Sequence, residues 1–92
     1  MNNNKIEKII KVVNKLGVHA RPAGKIAREM QKYDAHIYLI YNGNRRNAKS
    51  VIQILSLGAP KDAEILAVAE GKDAQSAIDE LEEIFKTGFG EP

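Results

Sequence analysis

The sequence predicts an α+β fold: a four-stranded antiparallel sheet with three helices on one face, in the order β-α-β-β-α-β-α. Three observations carry this expectation. Apolar residues alternate with period two in Ile6–Val13 and Ala35–Tyr41. They recur three and four apart in Ala23–Tyr33 and Ala74–Phe85, the spacing of one helix face. Between the second and third strands stands Asn42-Gly43, a dipeptide suited to the positive φ angles of a tight hairpin, which makes those strands antiparallel.

In the first strand, Ile6, Ile10 and Val12 share one side and Ile9 and Val13 the other; Asn14-Lys15-Leu16-Gly17 then turns the chain. The first helix shows Ala23, Ile26, Ala27, Met30 and Tyr33 on one face, with Pro22 in its opening turn, where a missing N–H does no damage. In the second strand Ile37, Leu39 and Tyr41 oppose His36, Tyr38 and Ile40. The return strand, Arg45–Ala48, is short and polar, as suits a sheet edge. Ser50 is placed to cap a short helix running to Leu57, closed by Gly58 and Pro60. Glu64–Ala69 reads as the fourth strand. Gly71 turns the chain, Asp73 is the expected N-cap of the last helix, and Ala74, Ala77, Ile78, Leu81, Ile84 and Phe85 form its buried stripe, ended at Gly88. The sheet face away from the helices is open to water, with Tyr38, Ile40, Leu66 and Val68 projecting from it, as an apolar surface rather than a dimer contact.

Ninety-two residues, 43% hydrophobic and 28% charged, make one domain spanning 1–92, with residues 1–5 expected to be flexible. The absence of cysteine excludes a disulfide scaffold, a cysteine metal knuckle and a thiol nucleophile, so the fold rests on its core. Apolar runs are short and the start lacks a signal-peptide pattern, which predicts neither membrane insertion nor secretion. A net charge of +2 with three tyrosines, two phenylalanines and no tryptophan argues against nucleic-acid binding.

The chemistry concentrates in Gly17-Val18-His19-Ala20-Arg21-Pro22-Ala23. A histidine stands where a loop becomes a helix, so the unpaired first amides of that helix, from Ala20 and Arg21, face any anion attached to it. Arg21 adds a fixed charge and a fork of donors for phosphate oxygens. A neutral imidazole keeps one nitrogen lone pair and acts as a nucleophile near neutral pH. Together these suit a reversible phosphoryl acceptor. By spacing alone a lone histidine here is ordinarily a capping or surface residue, and His36 reads as a surface strand residue. No metal site is expected, and no nucleophile-elbow motif is present.

The run Asn14-Lys15-Leu16-Gly17-Val18-His19-Ala20-Arg21-Pro22-Ala23 resembles the active-site signature of the HPr family, the histidine-containing phosphocarriers of the bacterial phosphotransferase system. Asn47-Ala48-Lys49-Ser50-Val51-Ile52-Gln53-Ile54-Leu55-Ser56-Leu57-Gly58 resembles the same family's serine-bearing segment, and Tyr41-Asn42-Gly43 and Gly88-Phe89-Gly90-Glu91 are also similar. The resemblance implies an open-faced β-sandwich in the cytoplasm that needs no cofactor. It implies that His19 accepts a phosphoryl group through Nδ1 from phosphorylated Enzyme I, stabilised by Arg21 and the Ala20 amide, and passes it to IIA components of sugar permeases. The chain would then be a carrier rather than an enzyme, and the presence of His19 sets it apart from a regulatory paralogue lacking that histidine.

By the same resemblance, Ser50 occupies the position that a dedicated kinase/phosphorylase modifies in many bacteria. A phosphate there would suit the helix N-terminus but add about −1.5 to −2 charge beside the docking surface. Five apolar residues on so short a helix are too many for one face. Ile54 and Leu57 are expected in the core, and Val51, Ile52 and Leu55 at a protein contact. Ile52 and Leu55 form its expected centre, with Arg21, Arg28 and Lys49 as a basic rim and Gly24 allowing close approach. Two alternatives stay open: a regulatory member of the family, of the nitrogen branch or acting on kinases and transcription regulators, and a small nucleic-acid-binding domain using Arg45, Arg46, Lys49 and Lys61.

Overall fold

The computed structural model describes residues 4–92. Its elements run β1 (Lys5–Lys11), α1 (Ala20–Met30), β2 (His36–Tyr41), β3 (Asn44–Asn47), α2 (Val51–Leu55), β4 (Glu64–Glu70) and α3 (Ala74–Lys86), followed by a single 3-10 turn, Gly88–Gly90. The strands form one antiparallel sheet in the order β1-β4-β2-β3. This is the expected architecture and the expected β-α-β-β-α-β-α order. Of the start expected to be flexible, residues 1–5, residues 1–3 lie outside the described residues, whereas Lys5 pairs with Glu70 and the Asn4 carbonyl accepts from the Gly71 amide at 2.9 Å.

Alternation places Ile10 and Val12 from the first strand segment, Ile37 and Leu39 from β2, and Ile65, Ala67 and Ala69 from β4 under the helices, all buried. Onto them press Ala23, Ile26, Ala27 and Met30 of α1, Ile54 of α2, and the complete expected stripe of α3 from Ala74 to Phe85. Their burial drives folding, since each large apolar side chain removed from water contributes about 1.5–3 kcal/mol. The Asn42-Gly43 turn adopts φ of 52° and 77°, the double left-handed geometry whose twist matches the flanking strands.

Three details depart from the expectations. First, α1 ends at Met30 and Tyr33 lies beyond it, where its hydroxyl donates to the Glu80 carboxylate of α3. Second, α2 stops at Leu55 rather than Leu57. The Leu57 and Gly58 amides donate to the carbonyls of Ile54 and Leu55, three residues back, which tightens the last turn before Gly58 reverses the chain. Third, Asp73 stands at the N-cap position of α3 but its side chain does not cap that helix. Its two carboxylate oxygens accept instead from the Asp34 and Ala35 amides, each at 2.8 Å, and so clamp the entry to β2. Those bonds hold the Asp73 carboxyl below its ordinary pKa, the Asp34 amide contributing most.

The open face carries Tyr38, Ile40, Leu66 and Val68 as expected from the register. Val68 is nevertheless buried, because Glu7 and Tyr38 flank it on both sides in the sheet, and the Arg45 guanidinium lies 3.8 Å from the Tyr38 ring centre.

Candidate active site at the start of α1

The loop that delivers the histidine is shaped by Gly17. Its φ is +70°, and a Cβ there would stand 2.5 Å from the Ala59 carbonyl oxygen, so only glycine lets the two loops meet. The next amide, Val18, donates to that same carbonyl at 2.9 Å. His19 then adopts extended backbone angles and serves as N-cap of α1. Its carbonyl accepts from the Ala23 amide at 3.0 Å, while its side chain makes no capping bond to the helix. The amides of Ala20 and Arg21 are therefore the first, internally unpaired donors of an eleven-residue helix, and Pro22 brings none.

The imidazole is about one-third exposed, and what holds it comes from the far end of the sequence. Glu91 Oε1 lies 2.7 Å from His19 Nε2. Glu91 Oε2 lies 3.9 Å from an Arg21 guanidinium nitrogen, a loose contact that leaves the arginine largely in solvent. The hydrogen bond with His19, with help from Asn14 and the charge of Arg21, keeps the Glu91 carboxyl below the ordinary carboxylate range. Glu91 is thus an anion that only accepts, which places the proton of the neutral ring on Nε2 and the lone pair on Nδ1.

Two further bonds fix the tail. Asn14, 1% exposed, donates from Nδ2 to Glu91 Oε1 and to the Gly17 carbonyl, both at 2.7 Å. The Lys15 amide donates to the Pro92 carbonyl at 2.9 Å. The chain reaches this place through Gly88-Phe89-Gly90, where all three residues take φ between 60° and 78°. Phe89 offsets that strained conformation by burial against Phe85, edge to face with ring centres 4.9 Å apart. Lys15, Leu16, His19, Arg21, Glu91 and Pro92 line an open depression of about 400 Å³ over the ring.

The remaining sequence-predicted residues divide. Ser50 is the N-cap of α2, its hydroxyl accepting from the Gln53 amide at 3.3 Å. Ile52 is 75% exposed and Val51 is exposed, whereas Leu55 is half-buried and leans on the core; Ile54 and Leu57 are buried as expected. Arg28 is exposed near Glu29, and no atom would lie within 4 Å of a Cβ on Gly24. Lys49 is turned away from the expected basic rim: its ammonium donates to the Tyr33 carbonyl at 2.6 Å, just past the C-terminus of α1. His36 is exposed on β2, on the open face of the sheet. Among the described residues no group of three metal-ligating side chains converges, and no helix is long and apolar enough to cross a membrane.

Sequence reasoning gives no part to Asn14 or Glu91. The similarity of Gly88-Phe89-Gly90-Glu91 to the family's ending is the one signal that points toward the tail.

Comparison with known proteins decides the family. The family model described as PTS HPr component phosphorylation site matches residues 6–87. The chain belongs to the HPr family. The phosphocarrier protein HPr of Chlamydia pneumoniae is 40% identical over 80 residues, covering 87% of this chain and 74% of that one. Among solved structures, HPr-C-His of Thermoanaerobacter tengcongensis superposes with a TM-score of 0.90 at 34% identity, over 95% of this chain and 98% of that one. HPr of Bacillus anthracis does so with a TM-score of 0.86 at 32% identity, over 90% and 99%. The open-faced sheet described above is therefore the HPr fold.

Proposed function

We propose that this HPr-family chain carries a phosphoryl group on His19 Nδ1 between phosphorylated Enzyme I and the IIA components of sugar permeases, in the cytoplasm, as a co-substrate and not as an enzyme with its own turnover. The observation that carries the proposal is the Glu91 carboxylate on Nε2, which leaves the Nδ1 lone pair as the nucleophile.

In the forward step that lone pair forms the N–P bond while the bond from phosphorus to the donor breaks, its electrons leaving with the donor atom. The ring keeps its Nε2 proton and becomes cationic as it is phosphorylated, and Glu91 balances that charge. The dianionic phosphoryl group sits against the Ala20 and Arg21 amides, and the exposed Arg21 side chain swings from Glu91 to its oxygens. Transfer to the next protein is the same step in reverse, so the group must be held without being trapped.

Val51, Ile52 and Leu55 on α2, beside α1, supply the apolar centre of docking, with Arg21, Arg28 and the open flank at Gly24 around it. A small contact of this kind favours rapid exchange. Ser50 is the proposed modification site for an HPr kinase/phosphorylase, which favours a second, regulatory reading; its hydroxyl at a helix start supports that role.

Incubation with phosphoenolpyruvate and Enzyme I is expected to add one acid-labile, base-stable phosphoryl group, and His19→Ala to accept none. Equal labelling of His19→Ala would overturn the assignment.

A further inference from the structure

Asn14 is the one buried polar side chain among the described residues, and its bonding is lopsided. Nδ2 serves two acceptors, the Gly17 carbonyl and Glu91 Oε1, while Oδ1 is buried with no partner. Rotating the amide by half a turn does not help, since both partners only accept. An unpaired oxygen at this depth opposes folding. The bond to the Gly17 carbonyl closes the local turn, and the bond to Glu91 reaches into the site. Glu91 Oε1 is shared between Asn14 Nδ2 and His19 Nε2, both at 2.7 Å, so the Asn14 amide sets where the acceptor of the histidine proton stands.

We infer that Asn14 is a positioning residue for phosphoryl transfer: acting through Glu91, it fixes the His19 ring in the tautomer that exposes Nδ1. This deepens the reading of His19 as phosphoryl acceptor and rests on it. Partners that orient a metal-bound histidine through its second nitrogen are typically worth about 10–100-fold in affinity or activity, and an effect of that order is expected here. The geometry here adds a relay of one more residue, in which a rigid turn residue holds a tail residue and the tail residue holds the ring.

The test reads the ring before it reads activity. By nitrogen NMR, the unmodified protein shows a single neutral tautomer, protonated at Nε2, with slow exchange of that proton. Asn14→Ala releases Glu91, mixes the tautomers and speeds the exchange of the Nε2 proton. The same substitution made in Glu91→Ala adds little, because both changes break one relay. Initial phosphorylation by Enzyme I slows in parallel, by about tenfold. If Asn14→Ala does not fold, Asn14→Ser is read in its place; its hydroxyl is too short to reach Glu91. Ring signals unchanged from the parent in a folded variant overturn the inference, as does a double variant that loses the two single effects in full. Should His19 prove not to accept phosphate, the tautomer measurements still decide whether Asn14 orients it.

Discussion

Gly24→Ala should stabilise the protein, and the size of the effect follows from the geometry. Gly24 is the fifth residue of α1, its φ lies in the ordinary helical region, and a Cβ there would meet nothing within 4 Å. The methyl group therefore neither clashes nor buries new surface. What remains is the backbone: in a helix interior glycine is about 0.8–1.0 kcal/mol less favourable than alanine, because it loses more freedom on folding. For a domain of this size 1 kcal/mol corresponds to about 4–8 °C in Tm. Thermal unfolding followed by circular dichroism measures this directly. Gly17→Ala is the contrasting control, since its φ is +70° and its Cβ would stand 2.5 Å from a backbone oxygen, so its Tm should fall. A Gly24→Ala protein that melts at or below the parent temperature would refute the reasoning, showing that the open space beside α1 is needed by the fold.

Three other outcomes are expected. Ser50→Ala removes the cap of α2 and should cost about 0.5–1 kcal/mol by denaturant unfolding, the lower part of the usual range because the bond is 3.3 Å long. Glu91 has a lowered folded pKa, so the folded state binds fewer protons than the unfolded state in acid. Its contribution is present above the ordinary carboxylate value of about 4.3 and is lost as pH falls through the lower folded value. The Tm difference between the parent and Glu91→Gln should therefore close in that window. Tyr33, hydrogen-bonded to Glu80 and partly desolvated, has its pKa raised to about 12. Ultraviolet titration should show one tyrosine ionising late, and Tyr33→Phe should remove that step. With its folded pKa above the unfolded one, the Tyr33 contribution is whole below about pH 10 and fades as pH rises toward 12.

The parts of the fold legible in the sequence are those fixed by near neighbours. The apolar stripe of α3 and the Asn42-Gly43 turn depend on spacings of two to four residues, and both appear where expected. The end of α2 is less legible. Its apolar spacing continues to Leu57, yet Ser56 and Leu57 follow the helix in a tightened turn, a choice made by the tertiary packing of Leu57. Lys49 reads as a free cation in the sequence, but in the fold a carbonyl beyond the end of α1, sixteen positions earlier, takes its ammonium. At the site, the local motif displays His19 and Arg21, but Glu91 meets His19 across 72 positions and Asn14 across 77. No periodicity spans such a gap; only closure of the chain against β1 and α3 creates the contact.

That span also orders events during synthesis. A nascent chain that has released everything through Lys86 possesses all four strands and all three α-helices, yet still lacks the carboxylate that sets its histidine. Because Phe89 of the same short left-handed bend belongs to the core, the last step of packing is also the one that brings Glu91 to His19.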